Sequence, residues 1–163
     1  NAEAKVPVLQ QESLILTESN AIMQYLAASE KSSLWPEDIA MQAKVLSALF
    51  WPANYFTSGV APIAHRKIVL PHWGFGEKEI DQQQWQAFHR AVDALNSRLA
   101  TSAYLAGDQL TIADISLAAF FVFHHQVNMP LNGYPKVQDW LNNLSQQTWY
   151  VTTLNDLNTR LAN

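Results

Sequence analysis

Apolar positions follow one rule at the start of the chain and another after it. Val6-Pro7-Val8-Leu9 and Leu14-Ile15-Leu16 are short apolar runs, separated by the polar Gln10-Gln11-Glu12-Ser13. That pattern predicts a β-hairpin. From about residue 17 the spacing becomes helical. Ile22, Tyr25 and Leu26 share one face of a predicted helix over 19–28, with Glu18 at its start. The stretch 30–38 is polar, contains Pro36 and reads as a linker. A longer helix is expected over 39–59, with Val45, Leu46, Leu49, Phe50 and Phe56 inward and Pro52 kinking or splitting it. The prolines and glycines between Val60 and Gly76 predict irregular structure around a solvated His65-Arg66-Lys67. Trp85, Phe88, Val92, Leu95 and Leu99 alternate steps of three and four, which predicts another helix. Two more follow, on Val137, Trp140, Leu141 and Leu144, and on Val151, Leu154, Leu157 and Leu161. The chain is thus mostly α, with one hairpin at its head. A lone hairpin is not stable in water, so more sheet is expected from upstream or from another chain.

Thr111-Ile112-Ala113-Asp114 precedes the run from Ile115 to Phe123. Thr-x-x-Asp before an apolar run is the form of a reciprocal helix cap, with Leu110 and Ile115 at the staple positions. The helix it starts is expected to run to about Gln126 and to be buried on all sides, because it carries almost no charge. Such a helix must bring its own partners for its first N–H groups. The motif is structural, and Thr111 and Asp114 are assigned that role.

Composition narrows the chemistry. Net charge is −4 and no basic run is present, which argues against nucleic acid and against an anionic membrane. Apolar residues make up 48 % and charged residues 15 %, enough for a core and low enough to predict a partner-covered face. There are no cysteines, which excludes disulfides, thiolate metal sites and a cysteine nucleophile within this chain. No stretch is long enough to span a bilayer, and a cytoplasmic location is expected. Asn1-Ala2 has the look of a cleavage remnant. His124 and His125 are adjacent and would diverge by about 100° on a helix, so no metal site is expected.

Lys5-Val6-Pro7-Val8-Leu9, followed by Leu16-Thr17-Glu18-Ser19-Asn20-Ala21-Ile22 and Tyr25-Leu26, resembles the second half of the thioredoxin-like domain of glutathione S-transferases. Tyr104-Leu105-Ala106-Gly107-Asp108-Gln109-Leu110-Thr111-Ile112-Ala113-Asp114 is similar to the signature of that family's all-α C-terminal domain. The style is closest to bacterial members. The resemblance implies a thioredoxin-like remnant over 3–30, a linker over 31–38 and the all-helical domain over 39–163. It implies that the Val6–Pro7 bond is cis, turning the Val6 N–H and C=O toward a cleft where they can pair with an extended peptide. It implies that Ser19, helped by the Asn20 N–H, takes the carboxylate of glutathione's γ-glutamyl end. Glu18 would then orient the ammonium or the helix start, and Lys5, Val6 and Pro7 complete the glutathione site. Trp51, Tyr55 and Phe56 are the candidates for the site of a small hydrophobic electrophile, although aromatics at helical spacing more often belong to a core.

In that family the glutathione thiol is activated by a Tyr, Ser or Cys near the end of the first strand. The resemblance begins after that strand, so no catalytic residue is assigned, and Tyr25, Tyr55 and Tyr104 are not promoted into the role. The implied function is conjugation of glutathione to an electrophile, a detoxification reaction, by the complete protein, with this truncated chain inactive alone. The alternative is a non-catalytic transferase-like association module. A homodimer is implied, through helices corresponding to 39–59 and 77–100, through the strand edge at Val6–Leu9, or both.

Overall fold

The computed structural model describes residues 4–161; Asn1 and Ala2 lie outside that range. Strand β1 (Val8–Gln11) and strand β2 (Leu14–Thr17) form an antiparallel hairpin with Val8 opposite Thr17 and Gln11 opposite Leu14. Its two-residue turn places Glu12 at φ +53°, in the left-handed region. Helix α1 (Ser19–Ser29) follows at once. The segment 30–38 is turn and bend, and Asp38 then caps α2 (Ile39–Phe50) by accepting the Met41 N–H at 2.8 Å.

Pro52 splits the long helix. After Phe50 the chain tightens into a 3₁₀ turn, Trp51–Asn54, with Pro52 in its first turn. The expectation of irregular structure beyond Val60 is corrected. Short helices α3 (Phe56–Gly59) and α4 (Ala61–Ala64), a π-helical stretch at His65–Val69 and α5 (Leu70–His72) continue almost without a break. The prolines allow it because Pro62 and Pro71 fall in first turns, where a missing N–H costs no bond. The basic spot is not simply solvated: Arg66 pairs with Asp81 at 3.5 Å and Lys67 with Glu77 at 3.1 Å.

Helix α6 (Gln82–Arg98) starts on Asp81, whose carboxylate takes the Gln84 N–H at 2.8 Å. It packs closely against α3. A Cβ on Gly59 would lie 2.8 Å from the Ala87 carbonyl, so only glycine allows this approach. The Gln84 side chain donates to the Ser58 and Gly59 carbonyls at 3.0 and 2.9 Å, which closes the end of α3.

Helix α7 (Ile112–Ala118) stands in the middle of the core. It is shorter than its sequence predicts. After Ala118 the chain turns 3₁₀ over Ala119–Phe121 and continues as turns, and Ala119 is exposed. Two adjacent rings there, Phe120 and Phe121, both meet Phe56, at 5.8 and 6.0 Å. A regular helix would carry them apart by about 100°. The expected divergence of His124 and His125 is not seen, because they lie in turns and not on a helix; their rings stand 3.9 Å apart. Burial, and the like charge of His125, pull the His124 imidazole below its usual pKa, while its bond to the Phe121 carbonyl resists. Helices α8 (Pro135–Ser145) and α9 (Thr148–Leu161) complete the bundle. Among the described residues, no helix is long and apolar enough to cross a membrane.

The reciprocal cap at Thr111 and Asp114 is present, and Asp114 does more than cap. Its side chain is fully buried. One carboxylate oxygen accepts the Thr111 N–H at 3.0 Å and the Thr111 hydroxyl at 3.1 Å. The other accepts the Leu105 N–H at 2.9 Å and the Trp140 indole N–H at 3.1 Å. A further N–H at the helix start, that of Ile112, is taken by the Leu34 carbonyl of the linker at 3.1 Å. Burial raises the Asp114 pKa, and the four donors work against that rise.

Removing this carboxylate leaves at least three buried N–H groups without an acceptor. Asp114→Ala should therefore cost about 3 kcal/mol or more, whereas Thr111→Ala, which removes one hydroxyl, should cost about 1 kcal/mol. Urea unfolding followed by circular dichroism measures both. The double variant should cost less than the sum, because the two side chains share one network. Equal single costs with full additivity would contradict the network.

Candidate functional site

The hairpin register builds the site. Val8 faces Thr17 as the last pair of the ladder. Opposite residues in such a ladder are about 5 Å apart. Lys5, Val6 and Pro7 precede that last ladder pair and Glu18 and Ser19 follow it, at the open end of the hairpin, and all five are exposed, Val6 by 91 %. The Val6–Pro7 peptide bond is cis.

Glu18 occupies the N-cap position of α1 at φ +68°, ψ +115°, and its side chain makes no capping bond. A non-glycine residue in this region costs of order 1–3 kcal/mol, and such residues cluster at functional sites. The first helical bond runs from the Ile22 N–H to the Glu18 carbonyl at 3.0 Å. The N–H groups of Ser19, Asn20 and Ala21 thus precede the helical ladder, beside an exposed Ser19 hydroxyl. One end of this arrangement offers donors to an anion and the other a carboxylate to a cation.

Asn20 points the other way. Its side-chain carbonyl accepts the Ser116 hydroxyl at 2.7 Å, and its amide donates to the Leu49 carbonyl at 3.5 Å. The side chain ties α1 to α7 and α2, so only the Asn20 backbone N–H remains to face a ligand. Ser116 has no sequence signal for this role, since it lies 96 residues from Asn20.

The three aromatic candidates separate. Phe56 is fully buried, packed edge-on against Phe120 and Phe121, so it belongs to the core and lines no open site. Trp51 is half-buried, 5.5 Å from Phe56 and 5.7 Å from Tyr55. The Arg98 guanidinium lies over its ring at 5.1 Å, a contact that spacing along the chain does not reveal. Tyr55 is the most open of the three, at 41 % exposure. The Tyr25 hydroxyl is committed to the Gln11 side chain at 2.9 Å. Among the described residues, no group of three or more His, Cys, Asp or Glu is placed to hold a metal ion.

Comparison with known proteins agrees with both halves of the chain. Residues 1–28 match the model for "Glutathione S-transferase, N-terminal domain", and residues 63–143 that for "Glutathione S-transferase, C-terminal domain". The chain is 32 % identical over 143 residues to glutathione S-transferase 2 of Anopheles gambiae, across 86 % of this chain and 66 % of that protein. It is 31 % identical over 154 residues to glutathione S-transferase GstB of Escherichia coli K12, across 90 % of this chain and 72 % of that one. Among solved structures it is similar to a glutathione S-transferase-I bound with lactoylglutathione. That match has a TM-score of 0.83 at 27 % identity, covering 96 % of this chain and 77 % of the other. The chain belongs to the glutathione S-transferase family. It spans about two thirds of the length of the first of these relatives.

Proposed function

We propose that the open end of the hairpin holds glutathione, and that the complete protein joins its thiol to a small hydrophobic electrophile in the cytoplasm. The observation that supports this reading is the exposed open end of the hairpin, where a cis Val6–Pro7 bond precedes the Val8–Thr17 pair and Glu18 and Ser19 follow it into α1. In it the Val6 backbone pairs with the extended tripeptide as an added strand would. The first-turn N–H groups of α1 and the Ser19 hydroxyl take the γ-glutamyl carboxylate, and Glu18 meets the ammonium. A structural neighbour solved with lactoylglutathione supports a ligand of this shape. Trp51 and Tyr55 are the side chains for the electrophile. The division into 3–30, 31–38 and 39–163 then separates glutathione recognition from the helical domain.

Ser19→Ala should weaken glutathione binding about tenfold or more, the share of one hydrogen bond to a charged group. Titration calorimetry on the chain reads this directly. An unchanged affinity would reject the head-group assignment.

In this reading no described tyrosine is assigned to activate the thiol: Tyr25 is occupied, Tyr55 serves the electrophile, and Tyr104 lies in the turn before the capped helix. The chain, mixed with glutathione and a general aromatic electrophile, should therefore show only the uncatalysed rate. Turnover that survives repurification would overturn that part of the proposal.

We further infer a homodimer. Ile39 and Phe50 on α2 are 78 % and 71 % exposed, an apolar surface that a second copy would cover. Sedimentation at micromolar concentration should give a dimer, and Phe50→Glu should shift it toward monomer. A wild-type monomer under the same conditions rules the contact out.

A further inference from the structure

A second site lies away from the hairpin. Between α2 and the residues that follow α6 is a hollow of about 480 Å³. Lys44 and Ser47 flank it from α2, Arg98 and Thr101 from the end of α6, and Leu105 and Gly107 are among its other lining residues. Among the described residues, no acidic side chain lines it.

Arg98 is held in place from three directions. Its Nε donates to the Leu105 carbonyl at 3.2 Å. Its guanidinium lies over the Trp51 ring at 5.1 Å. Asp114 attracts it electrostatically from the core and opposes the fall in pKa that burial causes. The Asp114 carboxylate itself is already met by four donors. The two terminal amino groups of Arg98 make no hydrogen bond or ion pair among the described residues. Lys44 likewise has no carboxylate partner among them, and Asp108, exposed just beyond Gly107, pairs with neither cation. A guanidinium fixed by stacking and a back-edge bond has lost little freedom still to be lost, and its fork matches two oxygens of one anion. Lys44, Ser47 and Thr101 line the same hollow and carry an ammonium and two hydroxyls as further donors. That favours a tetrahedral ion over a flat one.

We propose that this hollow binds a small oxyanion of the phosphate class, held by the terminal amino groups of Arg98 and by Lys44, with the Ser47 and Thr101 hydroxyls as further donors. The same chemistry fits the free ion and a phosphate monoester.

The test is titration calorimetry of the full chain with inorganic phosphate, at ionic strength held constant with sodium chloride. Saturable binding at one site is expected. Lys44→Gln, an exposed position outside the core, should weaken it about fivefold. Arg98→Lys keeps the charge and loses the fork, and should weaken it about tenfold. Phosphoserine that competes with phosphate would identify a monoester as the ligand. Phosphate binding that phosphoserine leaves untouched would identify the free ion. Absence of saturable heat, or affinity unchanged in Lys44→Gln, overturns the proposal whether or not Arg98→Lys folds.

Discussion

One buried carboxylate organises the helical part of the chain. Asp114 has no exposed surface, and a bare charge in that position would be strongly unfavourable. It is tolerated because four donors converge on it from three places: the start of its own helix, the strand-like turn at Leu105, and the indole of Trp140 on α8. Each of those donors would itself be an unsatisfied buried group without the carboxylate. The requirement is mutual, so the loop before α7, the helix and α8 can only be assembled in one relative position. The Leu105 peptide then passes this order outward, because its N–H is fixed to Asp114 while its carbonyl fixes Arg98.

Much of this is legible in the sequence, and the limits have physical causes. The cap motif is readable because a helix that starts inside a core has few ways to satisfy its first N–H groups. Helix α6 is readable because its inward residues keep one period from Trp85 to Leu99. The hairpin is readable too, although β1 begins at Val8 and not Val6. The length of α7 is not. Hydrophobicity shows that Phe120 and Phe121 want burial, but not that both rings meet Phe56, a residue far away in the chain, nor that the winding changes to 3₁₀ after Ala118. The helices beyond Val60 escape a reading that counts prolines as breakers, because the effect of a proline depends on its position within a turn.

The same division holds for the site. Glu18, Ser19 and the Lys5-Val6-Pro7 segment before β1 are local motifs, and the hairpin between them is ordinary antiparallel pairing. What lies behind them is not local. The Asn20 side chain has the plausible look of a ligand group, yet its partners are the Leu49 carbonyl and the Ser116 hydroxyl. Phe56 reads as a lining aromatic and is instead a keystone between α3 and the end of α7. Polar residues near a site serve either the ligand or the scaffold, and only their distant partners reveal which.

The tie through Asn20 has a consequence for motion. The hairpin packs chiefly on α1, and α1 is joined to the bundle by its contact with α7 and by the two bonds of one amide. Segments with so few buried contacts open at lower free energy than the core around them. The hairpin and α1 therefore form a unit that can loosen while the helices behind stay folded. A peptide that pairs with Val6 and also engages Ser19 would tie the hairpin to the start of α1 and favour the ordered form of that unit. Occupancy of the site and local order around it would then be one equilibrium, with amide exchange in β1, β2 and α1 slowing as ligand is added while exchange in α6 and α8 stays as it was.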